Sequence, residues 1–173
     1  MSKTQVKCLI MAGGKGTRLW PESTAKKPKQ YLSLLGGDSL LSQTLKRFDG
    51  VVDNSSRFII TTKDQSELAK SCSQGQIQDM GIIYEPAGRN TAPCILLSLA
   101  HIEASGAGQD DIVAIMPSDH VILDTKGFQK TFLEAVKLSS DPQPLTTLGI
   151  PPHSPPTGSG HIQSGPPSGS GFK

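Results

Sequence analysis

VKCLIMAGGKGTRLWPESTAKKPKQ, residues 6–30, is the stretch on which the fold turns. Val6–Met11 is an apolar run of the kind carried by a strand buried on both faces of a sheet. It ends in Gly13, Gly14 and Gly16, with Lys15, Arg18, Lys26, Lys27 and Lys29 close behind. Glycines at the end of a buried strand let backbone N–H groups approach a phosphate or a flat base with no Cβ in the way, and a following cation completes an anion site. A glycine-rich turn that merely joins strand to helix is the plainer reading, and the cluster of cations argues against it. Two familiar phosphate loops are excluded. The Walker A pattern fails because Lys15 is followed by Gly16, and the dinucleotide fingerprint fails because Leu19 stands where its last glycine belongs.

Outward from this stretch the chain alternates strand and helix. Leu41, Leu45 and Phe48 recur at helical spacing after an N-cap at Asp38 or Ser39, and Asp49-Gly50 stops them. RFIITT at Arg57–Thr62 reads as a strand, Asp64–Cys72 as a short helix and Ile82–Tyr84 as a third strand. Asn90 or Thr91 caps a helix that accepts Pro93 in its first turn and carries Ile95, Leu96, Leu99 and Ile102 as its apolar stripe. DIVAIM at Asp111–Met116 is a second fully apolar strand, followed by the loop PSDH, a helix over 127–138 and a last strand at Leu145–Ile150. Strands separated by helices of this length build parallel β-α-β units, whose ligands gather at the carboxyl ends of the strands. The loops 12–30 and 117–120 both begin at such ends, as two parts of one site would.

A chain of 173 residues with 35% hydrophobic content supports one domain with a real core. Its net charge of +2 gives no global case for nucleic acid or an anionic membrane, so any anion site is local. Cys8, Cys72 and Cys94 form no C-x-x-C pair and read as reduced, inert thiols in the cytoplasm. The apolar stretch Val6–Ala12 is too short for a secretory or membrane-spanning segment. Residues 151–173 hold 6 Pro, 5 Gly and 5 Ser with two large apolar side chains, Ile162 and Phe172, so they cannot build a core and are expected to form a flexible tail to a nucleotide-binding half at 1–150.

GGKGTRLWP at Gly13–Pro21, followed by PKQ at Pro28–Gln30, resembles the signature of the sugar-1-phosphate nucleotidyltransferases. EPAGRNTAPCILLSLA at Glu85–Ala100 is similar to a run in the mannose-1-phosphate guanylyltransferase branch, and MPSDHVI at Met116–Ile122 resembles the segment where the family carries a metal-binding aspartate. The resemblance implies an α/β, Rossmann-like three-layer α/β/α fold with a mostly parallel sheet, here truncated at its C-terminal side. It also implies an enzyme in nucleotide-sugar biosynthesis, joining GTP to mannose 1-phosphate to give GDP-mannose and pyrophosphate with Mg²⁺. Such chemistry needs no Ser, Cys or His nucleophile, because the sugar phosphate is already anionic; positioning and cations meet the repulsion between reactants.

By that resemblance Arg18, Lys29 and Asp119 are catalytic, with Asp119 holding Mg²⁺. Gly13, Gly14, Gly16 and Thr17 lie against the nucleotide, and Pro86, Gly88, Asn90 and Thr91 read the base. Gly149, Thr157 and Gly158 belong to the sugar side, where Pro156 replaces a glutamate of the family and Ser159 an aromatic residue. Lys26 and Lys27 are expected as solvated cations, His120 in packing or beside the metal ligand, and His101 as structural; Glu85 either touches the base or ends a strand. No nucleic-acid or membrane partner is implied, and a homo-oligomer is compatible with the sequence. Alternatives are a GTP-binding chain without turnover, or an enzyme for another sugar phosphate such as glucose 1-phosphate. The run Arg89-Asn90-Thr91 favours the guanylyl branch. An exposed edge strand is also expected, with poor solubility as a monomer.

Overall fold

The computed structural model describes residues 4–14, 19–34, 36–140, 145–151, 160–169 and 171–172. The chain divides into two units, 1–129 and 130–173.

In the first unit β1 (Val6–Met11), β2 (Arg57–Thr62), β3 (Ile82–Glu85) and β4 (Ile112–Pro117) form one sheet in the order β3-β2-β1-β4. Every pairing is parallel: Leu9 sits opposite Phe58 and Ile115, and Ile60 opposite Ile83. Parallel strands cannot be joined by hairpins, so helices make the crossovers: α1 (Leu40–Lys46), α2 (Ser66–Ser73) and α3 (Thr91–Ala104). Among the described residues nothing pairs with the outer edge of β4. All six of its residues are only half-buried, whereas the first five of β2 are fully buried.

The pleat divides the core. Leu9, Phe58, Ile60 and Ile83 pack with Cys94 and Ile102 of α3 on one face. Arg57, Ile59 and Thr61 point to the other, where α1 brings Leu41 and Leu45 and the turn after it brings Phe48, none of them exposed. Arg57 is 2% exposed and ties that layer together. Its guanidinium donates to the carbonyls of Leu45, Phe48 and Val52 and pairs with Asp49 at 2.9 Å. Ser39 caps α1 by accepting from the backbone N–H of Ser42.

Two expectations are corrected. The buried line of α3 is Cys94, Ser98 and Ile102, while Leu96 and Leu99 face outward. TAPCILLSLAHIEA is apolar almost all round, so its periodicity carries little contrast, and the sheet selects the line that fits beneath it. The strand foreseen at Leu145–Ile150 does not form; Leu145 is fully exposed and no described strand pairs with the segment. An apolar run becomes a strand only where a partner accepts its backbone hydrogen bonds.

In the second unit α4 (Thr125–Ser139), within which the division falls, continues to Ser139, whose hydroxyl donates to Thr146 at 2.8 Å. A short antiparallel pair, β5 (Pro167–Ser168) and β6 (Gly171–Phe172), places Gly171 beside Leu138. Among the described residues no helix is long and apolar enough to cross a membrane.

Candidate active site

The sheet is parallel, so the loops that follow β1, β2, β3 and β4 all leave the same edge. The chain winds outward from β1 through β2 to β3, and α3 then carries it back to β4 on the opposite side of β1. At such a reversal the loops leaving the two adjoining strands, β1 and β4, diverge and leave a crevice at their carboxyl ends. Gly13 and Gly14 begin the loop after β1, Asp119 lies in the loop after β4, and Pro86, Gly88 and Asn90 form the turn between β3 and α3, which starts at Thr91.

Across this crevice the Lys29 ammonium meets the Asp119 carboxylate at 3.2 Å. Both side chains remain about a third exposed, at 31% and 40%, so each stays open to a ligand. Lys29 opens a single 3₁₀ turn, Lys29–Tyr31, whose next two residues point inward and are buried. Gln30 donates its side-chain amide to the carbonyls of Ala12 at 2.7 Å and Gly14 at 2.9 Å, and to Gln65 Oε1 at 3.2 Å. Tyr31 shares a hydrogen bond of 3.0 Å with Thr61. Burial pushes the Tyr31 phenol up to about 12, against an opposing contribution from that hydrogen bond.

Glu85 closes β3 and is 8% exposed. A Cβ built on Gly13 would stand 2.8 Å from Glu85 Oε2, so a glycine is what lets the loop lie against this carboxylate. Cys94, in the first turns of α3, neighbours the same group: burial pushes its thiol up to about 11, and the Glu85 charge and hydrogen bond add to the effect. Thr62, opposite Glu85 in the ladder, has a buried hydroxyl without a partner among the described residues. Asn90 takes the left-handed conformation at φ 69° before α3, and its side chain makes no capping hydrogen bond. The amide foreseen as a helix cap is therefore left free of that task.

Lys15, Gly16, Thr17 and Arg18 lie outside the described residues, as do Thr157 and Gly158. Gly149 is exposed in the second unit. Lys26, Lys27 and Arg89 are solvated. His120 serves through its backbone carbonyl, which accepts from Arg47 at 2.6 Å, and the His101 ring stands edge-on to Phe58. The three cysteines are free, Cys8 and Cys94 buried and Cys72 half-buried. Among the described residues no three His, Cys, Asp or Glu side chains cluster as a metal site. The Gln30, Gln65 and Thr61 network was missed by sequence reasoning. Its one available signal was a glutamine inside the PKQ signature, where an ordinary surface amide would have no reason to be specified.

Residues 7–171 match the family model described as nucleotidyl transferase. The xanthan biosynthesis protein XanB of Xanthomonas campestris pv. campestris (strain B100) is 37% identical over 93% of this chain and 34% of its own length. A mannose-1-phosphate guanylyltransferase of Escherichia coli is 38% identical over 91% of this chain and 33% of its own. The alginate biosynthesis protein AlgA of Pseudomonas aeruginosa is 38% identical over 90% of this chain and 32% of its own. The chain thus spans about one third of the length of the curated relatives it matches. Among solved structures, the mannose-1-phosphate geranyltransferase of Thermus thermophilus superposes with a TM-score of 0.69 at 30% identity, covering 78% of this chain and 38% of that one.

Proposed function

The chain belongs to the nucleotidyl transferase family, and from that premise we propose that it forms the nucleotide-binding part of a mannose-1-phosphate guanylyltransferase. The observation that carries the reading is the meeting of Lys29 and Asp119 at the mouth of the crevice, beside the glycine loop. It is supported by the run Arg89-Asn90-Thr91 and by relatives that bear the guanylyltransferase name.

In this reading a phosphate oxygen of mannose 1-phosphate attacks the α-phosphorus of GTP. A new P–O bond forms as the α–β bridge breaks, and pyrophosphate leaves with the electron pair. The residues supply placement and charge. Gly13, Gly14, Gly16 and Thr17 admit the triphosphate close to the backbone, while Arg18 and Lys29 offset the charge that accumulates on the leaving group. Pro86, Gly88, Asn90 and Thr91 form the base-reading turn. Gly149, Thr157 and Gly158 are assigned to the sugar side.

Asp119 fits a Mg²⁺ site of the kind that takes one or two carboxylates from the protein and the remaining oxygens from substrate phosphates. Its carboxylate is partly open to solvent and carries one cationic neighbour, Lys29, which a divalent ion would displace. When bound there, the ion would neutralise phosphate charge and align the reacting oxygens. The three free thiols favour a reducing, cytoplasmic setting.

The test is pyrophosphate release from GTP, Mg²⁺ and mannose 1-phosphate by the 173-residue chain, with Arg18→Ala as control for contaminating activity. Turnover that disappears in the control is the expected result. Folded protein that binds GTP without turnover would reduce the reading to a binding module. Preference for another nucleotide or for glucose 1-phosphate would move it to a different branch.

A further inference from the structure

We infer that Gln30 is the positioning residue of the glycine loop: it turns the carbonyls of Ala12 and Gly14 inward, so that the loop meets a nucleoside triphosphate without opposing dipoles. The inference rests on the nucleotidyl-transfer reading. Gln30 is 4% exposed, and its amide stands within 2.7–3.2 Å of three oxygens, two of them main-chain carbonyls of the loop. A carboxamide carries only two N–H donors, so they are shared among these acceptors; the Ala12 carbonyl has longer contacts with Thr61 at 3.3 Å and Tyr31 at 3.5 Å, and the amide of Gln30 is its shortest partner. Gln65, 3% exposed after β2, accepts the third contact and fixes the amide's rotation.

Without the amide these carbonyls face two alternatives. They stay inward with poorer partners, Ala12 keeping only the longer contacts with Thr61 and Tyr31, or they rotate outward to water, which the exposed Gly14 reaches readily. Outward is where an anion has to sit, and a carbonyl dipole there repels it. Gln30 also shares its 3₁₀ turn with Lys29, so the side chain that anchors the loop sets where the ammonium stands opposite Asp119.

The experiment is calorimetric titration of the 173-residue chain with GTP, for wild type, Gln30→Met and Gln30→Glu. Gln30→Met keeps the bulk and removes the donors; affinity is expected to fall roughly tenfold. Gln30→Glu is isosteric but, when ionised, offers only acceptors to the loop carbonyls. It is expected to bind at least as poorly at about pH 8. Relative to wild type at the same pH, it is expected to regain affinity near pH 6, as burial favours the protonated carboxyl and its O–H takes up the donor role.

A residue that only fills space would show no such regain. Wild-type affinity in both variants, or a loss in Gln30→Glu that does not respond to pH, overturns the inference. A wild-type chain that itself binds no nucleoside triphosphate overturns the nucleotide reading and the inference with it. If the Gln30 variants do not fold, Gln65→Met decides, because it leaves the donors in place and frees only their orientation. A loss of a few-fold supports the inference, and unchanged affinity overturns it.

Discussion

Lys29 and Asp119 are 90 positions apart, yet their ion pair contributes little to holding the fold, because each partner is about a third exposed to water. Lys29→Ala and Asp119→Asn are therefore expected to change stability by less than about 1 kcal/mol and turnover by roughly a hundredfold or more, a contrast that denaturation curves and pyrophosphate release measure side by side. The glycines separate in the opposite sense. A Cβ on Gly13 meets the movable end of Glu85, whereas one on Gly81 stands 2.7 Å from the backbone carbonyl of Arg57, which cannot yield. Gly81→Ala should cost about 1–3 kcal/mol in urea unfolding, with Gly13→Ala nearer to neutral there but weaker in nucleotide binding. Buried acids give a third expectation. The Cys8 thiol rises from 9.0 to about 12, the Cys94 thiol from 9.0 to about 11 and the Tyr31 phenol from 10.0 to about 12. Unfolded chains therefore lose these protons first as pH rises. The stability they contribute is complete below pH 9 and shrinks from there toward pH 12, visible as a melting temperature that falls across that window.

At the scale of elements, α1 packs chiefly against α2 and the Lys29–Tyr31 turn. Leu45 is fully buried beside Leu41 and Phe48, and Leu45→Ala is expected to cost about 2–5 kcal/mol by chemical denaturation. On α3, Leu96→Gln acts on a side chain that is 70% exposed and should stay within about 0.5 kcal/mol of the parent in the same measurement. The difference explains what could be read in advance. Val6–Met11 is legible as a strand buried on both faces because its run is apolar but for Lys7, and Arg57–Thr62 is legible as a strand from its β-branched and aromatic centre. The apolar surplus of α3 hides its inner line, which includes Ser98, a residue that satisfies its hydroxyl on the carbonyl of Cys94 at 2.8 Å. Leu145–Ile150 has the composition of a strand, but a ladder is made by two segments and only one is in that stretch.

For the whole molecule, the alternation of strands and helices is enough to foresee a parallel sheet with a ligand edge. Strand order is different, because β3-β2-β1-β4 depends on which exposed edge α3 reaches, and no residue in α3 encodes that alone. The site divides in the same way. Glycines and cations announce themselves by type and spacing. The network beneath them does not, since Gln30, Thr61 and Gln65 acquire meaning only when loops distant in sequence bury them together. Arg57 is a similar case: as a lone basic residue heading an apolar strand it reads as surface, and in place it collects the carbonyls that end α1.

The reversal between β1 and β4 also has a kinetic meaning. Val6 pairs with Ile112, so the β1–β4 seam closes a loop of most of the first unit, and closing so long a loop is entropically late. Lys29 and Asp119 come together only when that seam is made. On the proposed nucleotide-binding reading, competence to bind a nucleotide would mark the last event in folding, arriving after α1, α2 and the β1–β2 pair are in place. In refolding experiments the recovery of binding to an added nucleotide should lag behind the recovery of helical circular dichroism; simultaneous recovery would mean that the seam forms early.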